Sequence, residues 1–264
     1  MSKINKTAAG YGCWLCCGSR EVPEAAEGFR MYCKTVLMRG FSPVMLSAAG
    51  EWQRVAREIF GVVAQIAAGE PEEPHLLLCV DREQGDVPGK SRFRISLEEK
   101  GKIPCLRVSG SDENGVLYGV FHLIRCICLG WSLQKTQTVE RAGNELRMLD
   151  HWDNLDGSVE RGYAGRSLFF SGGRVRGNTA RAADYARLLA SVGVNAVAFN
   201  NVNVFEKETE LITGKHLPGI AKLAAEFGRF GIRVFLSVSF SAPMQLGGLS
   251  LIHISEPTRP ERIS

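Results

Sequence analysis

Val192-Gly193-Val194-Asn195-Ala196-Val197-Ala198-Phe199 and Phe230-Gly231-Ile232-Arg233-Val234-Phe235-Leu236-Ser237-Val238 share one pattern, a helix-closing glycine followed by an apolar strand. The two glycines stand 38 residues apart. Helical spacing leads into each: 179–192 turns Ala183, Tyr185, Leu188, Leu189 and Val192 to one face, and 220–230 repeats the arrangement. Strands are expected at 195–199 and 234–238. An earlier strand, Leu146-Arg147-Met148-Leu149, heads the series. Strands and helices that alternate at this interval fit successive βα units of a parallel sheet or barrel.

The polar residues concentrate at the ends of these strands. The first strand leads into Asp150-His151-Trp152-Asp153-Asn154-Leu155-Asp156-Gly157-Ser158-Val159-Glu160-Arg161-Gly162, read as one loop. The second leads into Asn200-Asn201-Val202-Asn203, and the third into 239–245. The C-terminal strand ends are where an α/β barrel carries its site. An aromatic beside carboxylates, amides and guanidinium groups suits a sugar, whose apolar ring face covers the aromatic while its hydroxyls take the hydrogen bonds. Trp152 is the platform in this reading. His151, Asp153, Asn154, Arg161, Asn200, Asn201 and Asn203 are the polar partners.

A plainer reading competes, because Asn and Asp also cap helices and shape turns. Arg161 and Arg166 are suited to gripping a carboxylate bidentately. They are equally suited to pairing with Asp156 and Glu160 to fix the loop, and that pairing is the preferred expectation. The run 153–157 lacks the alternating acids and distal Glu of a calcium loop. Gly172-Gly173 and Gly247-Gly248 lack the Lys of a phosphate loop.

Upstream, residues 1–140 read as a small α+β domain. A helix is expected over 51–68 through Val55, Ile59, Phe60, Val63 and Ile66. Strands are expected at 75–80, 92–97 and 106–108, and a helix after the cap Ser111-Asp112-Glu113-Asn114, stopped by Gly130. The segment 134–144 is polar and reads as a connection. With 45% hydrophobic and 23% charged residues, the 264-residue chain can bury a core. The formal charge of +4 is scattered, which argues against a nucleic-acid surface. No apolar run spans a membrane and no secretory signal opens the chain, so a cytoplasmic location is expected, with an extracellular one as the alternative. Cys13-x-x-Cys16 lacks a second ligand pair for zinc, and the eight cysteines read as buried thiols. No metal and no cofactor are expected.

Leu249-Ser250-Leu251-Ile252-His253-Ile254-Ser255-Glu256-Pro257-Thr258-Arg259 resembles a translated sequencing-library adapter. Residues 249–264 are therefore set aside as a non-native tail, and His253 carries no functional weight.

The run from Asp150 through Arg166-Ser167 resembles the signature of microbial α-glucuronidases of glycoside hydrolase family 67. Asp184-Tyr185-Ala186-Arg187-Leu188-Leu189 with Asn200-Asn201-Val202-Asn203 is similar to the family's first helix and second strand end. Gly115-Val116-Leu117-Tyr118-Gly119-Val120-Phe121-His122 and the opening Tyr11, Cys13, Trp14 and Leu15 agree. The resemblance implies a small N-terminal domain and, over 145–248, the first three βα units of a (β/α)8 TIM barrel cut short. It implies hydrolysis, with inversion, of the α-1,2 bond to (4-O-methyl-)glucuronic acid on xylooligosaccharides derived from glucuronoxylan. The family's general acid and base lie on strand ends beyond the third, so no residue here is assigned to either role, and the fragment is expected to be inactive. The resemblance leaves assembly open, with a homodimeric parent enzyme as the expectation.

Two other readings stay open: a non-catalytic carbohydrate-binding module, and another glycosidase such as a family 20 hexosaminidase. Three βα units leave a strand edge uncovered. The chain beyond about residue 144 is therefore expected to aggregate or stay partly unfolded. Sedimentation and thermal unfolding test this, and a cooperative monomer would contradict it.

Overall fold

The computed structural model describes residues 22–200, 206–239 and 241–247. Tyr11, Cys13, Trp14, Leu15, Cys16, Cys17, Asn201, Asn203 and the tail from Leu249 lie outside the described residues. The chain divides into two compact units. One takes in the described part of Met1–Met148 with Ala183–Ala196 and Glu226–Arg233. The other takes in Leu149–Ala182, Val197–Ala225 and the described part of Val234–Ser264.

The first unit opens with a 3-10 helix, Glu24–Tyr32. It then runs β1 (Thr35–Arg39), α1 (Pro43–Phe60), β2 (Gln65–Ile66), β3 (His75–Val80), β4 (Arg92–Lys100), β5 (Ile103–Gly110), α2 (Glu113–Cys128) and β6 (Thr138–Arg141). The six strands form one sheet in the order β2-β1-β3-β5-β4-β6. β2, β1, β3 and β5 run parallel, whereas β4 is antiparallel to both its neighbours. α1 and α2 pack on one another, and α2 lies across β3, β4 and β5. Leu76, Leu78, Leu106 and Val108 of the sheet meet Val116, Leu117, Val120 and Leu123 of α2 in a fully buried core.

The sequence places α2 well because its start is local. Asp112 accepts the Gly115 N–H at 2.7 Å, the N-cap its position predicts. The helix expected over 51–68 is misplaced. α1 begins eight residues earlier, at Pro43, where Ser42 caps Met45 N–H, and it ends at Gly61 in the left-handed region. Val63 is exposed and Ile66 belongs to β2. Glu51 thus lies inside α1, buried, where its carboxylate takes Arg187 at 2.5 and 2.8 Å as well as Arg54. The polar connection expected at 134–144 holds a short 3-10 helix, Gln134–Thr136, and the edge strand β6.

Downstream come β7 (Met148–Asp153), β8 (Phe170–Ser171), β9 (Arg174–Val175), α3 (Ala180–Ser191), β10 (Ala196–Asn200), the 3-10 helix Glu206–Ile212, α4 (Leu217–Gly228), β11 (Arg233–Phe235) and α5 (Ala242–Gly247). The sheet order is β11-β10-β7, so consecutive helix-linked strands are neighbours. β10 is buried along its whole length, as its unbroken apolar run requires. β8 and β9 form a hairpin whose two-residue turn is Gly172-Gly173, with φ of 58° and 75°. That turn needs left-handed backbone at both positions, which explains the glycine pair. The architecture is mixed α/β with parallel-rich sheets. Among the described residues no helix is long and apolar enough to cross a membrane.

The Gly-x-x-x-Gly of α2 is a close approach to the sheet. A Cβ on Gly115 would sit 2.2 Å from the Arg92 carbonyl oxygen, and one on Gly119 2.6 Å from Val108. Alanine normally strengthens a helix by about 1 kcal/mol over glycine. Here the clash with backbone wins, and Gly115→Ala is expected to lower unfolding free energy by about 1–3 kcal/mol in a urea titration. A stabilised variant would show that the helix can slide off the strand.

Candidate functional site

β7 runs through His151, Trp152 and Asp153, so these residues belong to the strand and not to a loop beyond it. The correction matters because side chains alternate along a strand. His151 and Asp153 share one face, and Trp152 shares the other with Asp150. His151 sets its ring edge-on to Phe169 at 5.1 Å, and its Nδ1 lies 3.6 Å from Asp153 Oδ1. Phe169 in turn stacks on Phe199 of β10 at 4.3 Å. Asp153 is buried beside His151. Trp152 is 44% exposed, and its indole N–H donates to Asp150 at 3.2 Å. A large aromatic left in solvent beside a carboxylate is the feature of this strand end that packing does not explain.

The residues after β7 build a tight turn. Asn154 is fully buried, and its amide donates to Ser158 Oγ at 2.9 Å and to the Glu160 carbonyl at 2.7 Å. Asp156 accepts from both the backbone and the hydroxyl of Ser158, which holds its carboxyl below the usual range. The plain reading of Asn and Asp as turn formers therefore describes both residues. The Gly173 and Gly172 N–H groups donate to the carbonyls of Leu155 and Asp156, docking the hairpin on the turn. The expected pairing of Arg161 and Arg166 with Asp156 and Glu160 is not found among the described residues. Asp156 is occupied by Ser158 and Glu160 by the Tyr163 hydroxyl at 3.1 Å, and both arginines point to solvent.

Two side chains tie this turn and its neighbours together. Asn200, at the end of β10 and 2% exposed, donates to the Ser237 carbonyl at 3.0 Å and accepts the Ser237 N–H at 2.9 Å. Its amide thus extends the sheet past the last residue of β11. Glu208, on the 3-10 helix after β10, accepts the Leu155 N–H at 2.7 Å and is 3% exposed. Burial pushes its carboxyl up to about 7, a rise that the Leu155 hydrogen bond opposes and the charges of Asp156 and Asp153 add to. Sequence reading missed Glu208, because nothing local separates it from Glu206 and Glu210 in a charged run. Only the docking of that segment on the first strand's turn gives it a distinct role. Asn201 and Asn203 lie outside the described residues.

A cavity of about 230 Å3 in the first unit touches Tyr118, His122, Arg125, Glu140 and Arg147. Its arginines serve the scaffold. Arg147 donates to the carbonyls of Gly89, Asn144 and Gly193, and Arg125 to that of Ser191. Among the described residues no three His, Cys, Asp or Glu side chains gather as a metal site needs.

The signature described as glycosyl hydrolase family 67 middle domain matches residues 127–261, half of the chain. The chain belongs to glycoside hydrolase family 67. Alpha-glucuronidase A of Emericella nidulans is 42% identical over 151 residues, covering 55% of this chain and 17% of that protein. Probable alpha-glucuronidase A of Aspergillus oryzae is 37% identical over 194 residues, covering 68% of this chain and 23% of the relative. The chain thus spans about a fifth of the length of the curated relatives it matches. Among solved structures, a family GH115 4-O-methyl-alpha-glucuronidase with specificity for decorated arabinogalactans superposes with a TM-score of 0.52 at 12% identity, over 86% of this chain and 32% of that one. A GH138 enzyme targeting pectin rhamnogalacturonan II gives 0.50 at 16% identity, over 81% of this chain and 33% of that one. These two share the fold with this chain.

Asn200→Ala would orphan both backbone groups of Ser237. Its expected cost is about 1–3 kcal/mol of unfolding free energy, read by urea denaturation. A loss too small to measure would mean that water replaces the amide.

Proposed function

We propose that the protein carrying this chain is a xylan-degrading α-glucuronidase. It removes terminal (4-O-methyl-)glucuronic acid from xylooligosaccharides at the α-1,2 bond, with inversion. The chain contributes a small α+β domain over 1–140 and the first three βα units of a (β/α)8 barrel over 145–248. Membership of family 67 and the names of the relatives support the activity. The observation that carries the site is Trp152, exposed on β7 with its indole N–H held by Asp150.

An indole face covers the apolar face of a pyranose, and its edge contact with Asp150 fixes the plane of the ring. Inversion needs a protonated carboxyl on the leaving oxygen and a carboxylate that activates water, roughly 6.5–9.5 Å apart. No residue of this chain is assigned to either role. In this proposal the acid and base stand on later strand ends, and β7 and β10 form the wall opposite them. Asn200 and Asn154 serve that wall from within, by holding backbone.

In the complete enzyme, Trp152→Ala is expected to reduce kcat/KM for 4-O-methylglucuronoxylooligosaccharides by about 30-fold, the loss typical of a buried aromatic anchor. Released uronic acid is the readout, and NMR should find the β-anomer first. An unchanged kcat/KM would remove Trp152 from the site. Saccharide binding without any release would favour the binding module instead.

A further inference from the structure

Glu208 is a buried carboxyl that the proposed chemistry does not use. One oxygen accepts the Leu155 N–H at 2.7 Å, and the other has no hydrogen-bond partner among the described residues. Two negative neighbours face it, Asp153 from β7 and Asp156 from the turn. No described cation pairs with it, since Lys215 and His216, the basic groups that follow on its own segment, sit against Glu210. Asn154, next to Leu155, also buries an oxygen without a partner. This surrounding is rich in acceptors and poor in donors. A neutral carboxyl, which has a proton to donate, suits it better than a carboxylate.

We propose that Glu208 is a positioning residue, whose carboxyl holds Leu155 and thereby fixes the turn that closes back on Trp152 and Asp153, where the Glu160 N–H meets the Trp152 carbonyl and Val159 bridges Asp153. This rests on the reading of Trp152 as the sugar platform. The contact joins the segment after β10 to the turn after β7, two strand ends that no backbone hydrogen bond among the described residues connects at these positions. Ionisation places a third negative charge beside Asp153 and Asp156 in a site with little water. The least costly response is for the Glu206–Ile212 helix to lift from the turn and let the carboxylate hydrate.

The direction of the pH dependence follows. Docked, Glu208 titrates near 7 rather than at 4.5, so the docked form binds more protons between those values. Docking is strongest below pH 4.5 and weakens as pH rises from there to about 7. Between those values each pH unit weakens the docked form by up to about tenfold, and above about 7, where Glu208 is ionised docked or undocked, the loss levels off.

The test follows the Leu155 amide resonance of the 15N-labelled complete enzyme from pH 5 to 9, alongside affinity for a 4-O-methylglucuronoxylooligosaccharide. The expected result is a Leu155 shift that is complete just above pH 7 and an affinity that declines up to about pH 7 and levels off beyond it. Glu208→Gln, neutral at every pH and still able to accept from Leu155, should flatten both curves and keep the low-pH affinity. A Leu155 resonance that does not titrate would overturn the proposal. So would the same pH dependence in Glu208→Gln, or an affinity that ignores the Leu155 transition. Trp152→Ala separates the two readings: unchanged affinity in that variant sinks the sugar platform, while the Leu155 titration still decides the Glu208 contact.

Discussion

The buried amide of Asn200 is the contact on which the strand-end region depends. With one side chain it satisfies both backbone groups of Ser237, and so continues the sheet beyond the point where β11 stops. A backbone segment left without ladder partners at a strand end either finds side chains to pair with or takes up water. Glu208 does the same for Leu155, whose carbonyl meanwhile receives the Gly173 N–H. At the opposite end of β10, Asn195 accepts the Arg147 N–H at 2.8 Å and donates to the Glu145 carbonyl at 2.7 Å. The central strand therefore carries an asparagine just before its start and another at its end, each clamping the backbone of an adjacent segment.

These clamps sort the polar residues of the region into two kinds. Asn154, Asp156 and Asn200 spend their hydrogen bonds on backbone and turn, so their polarity builds the scaffold. Trp152 instead leaves much of its indole in solvent. A rigid frame beneath an exposed aromatic is what a saccharide wall requires, because ordering a loose wall would consume binding free energy. The proposed α-glucuronidase site is thus a division of labour between Trp152, turned outward on β7, and the turn and β10 residues that hold the backbone around it.

How much of this was legible in the sequence depends on how local the cause was. α2 could be read because Asp112 caps it and its apolar face is continuous. β10 could be read because the buried central strand is apolar from Ala196 to Phe199. α1 was misjudged because Val63 and Ile66 prolong the helical spacing past Gly61, where the backbone turns. β7 extends into polar sequence because pairing with β10, not hydropathy, decides where it ends. Glu208 was invisible, since its burial arises from contact with a turn more than fifty residues earlier. The family motif was legible throughout, yet it could not tell which of its polar residues face outward.

The central claim is that side chains, not strand pairing, hold Leu155 and Ser237, which both lie outside regular strands. Residue-resolved amide hydrogen exchange tests this directly. Protection of these two amides well above that of the exposed loop position Gly165 is the predicted result. Exchange of Leu155 and Ser237 at loop rates would contradict it, and with it the view that clamped strand ends form the wall of the site.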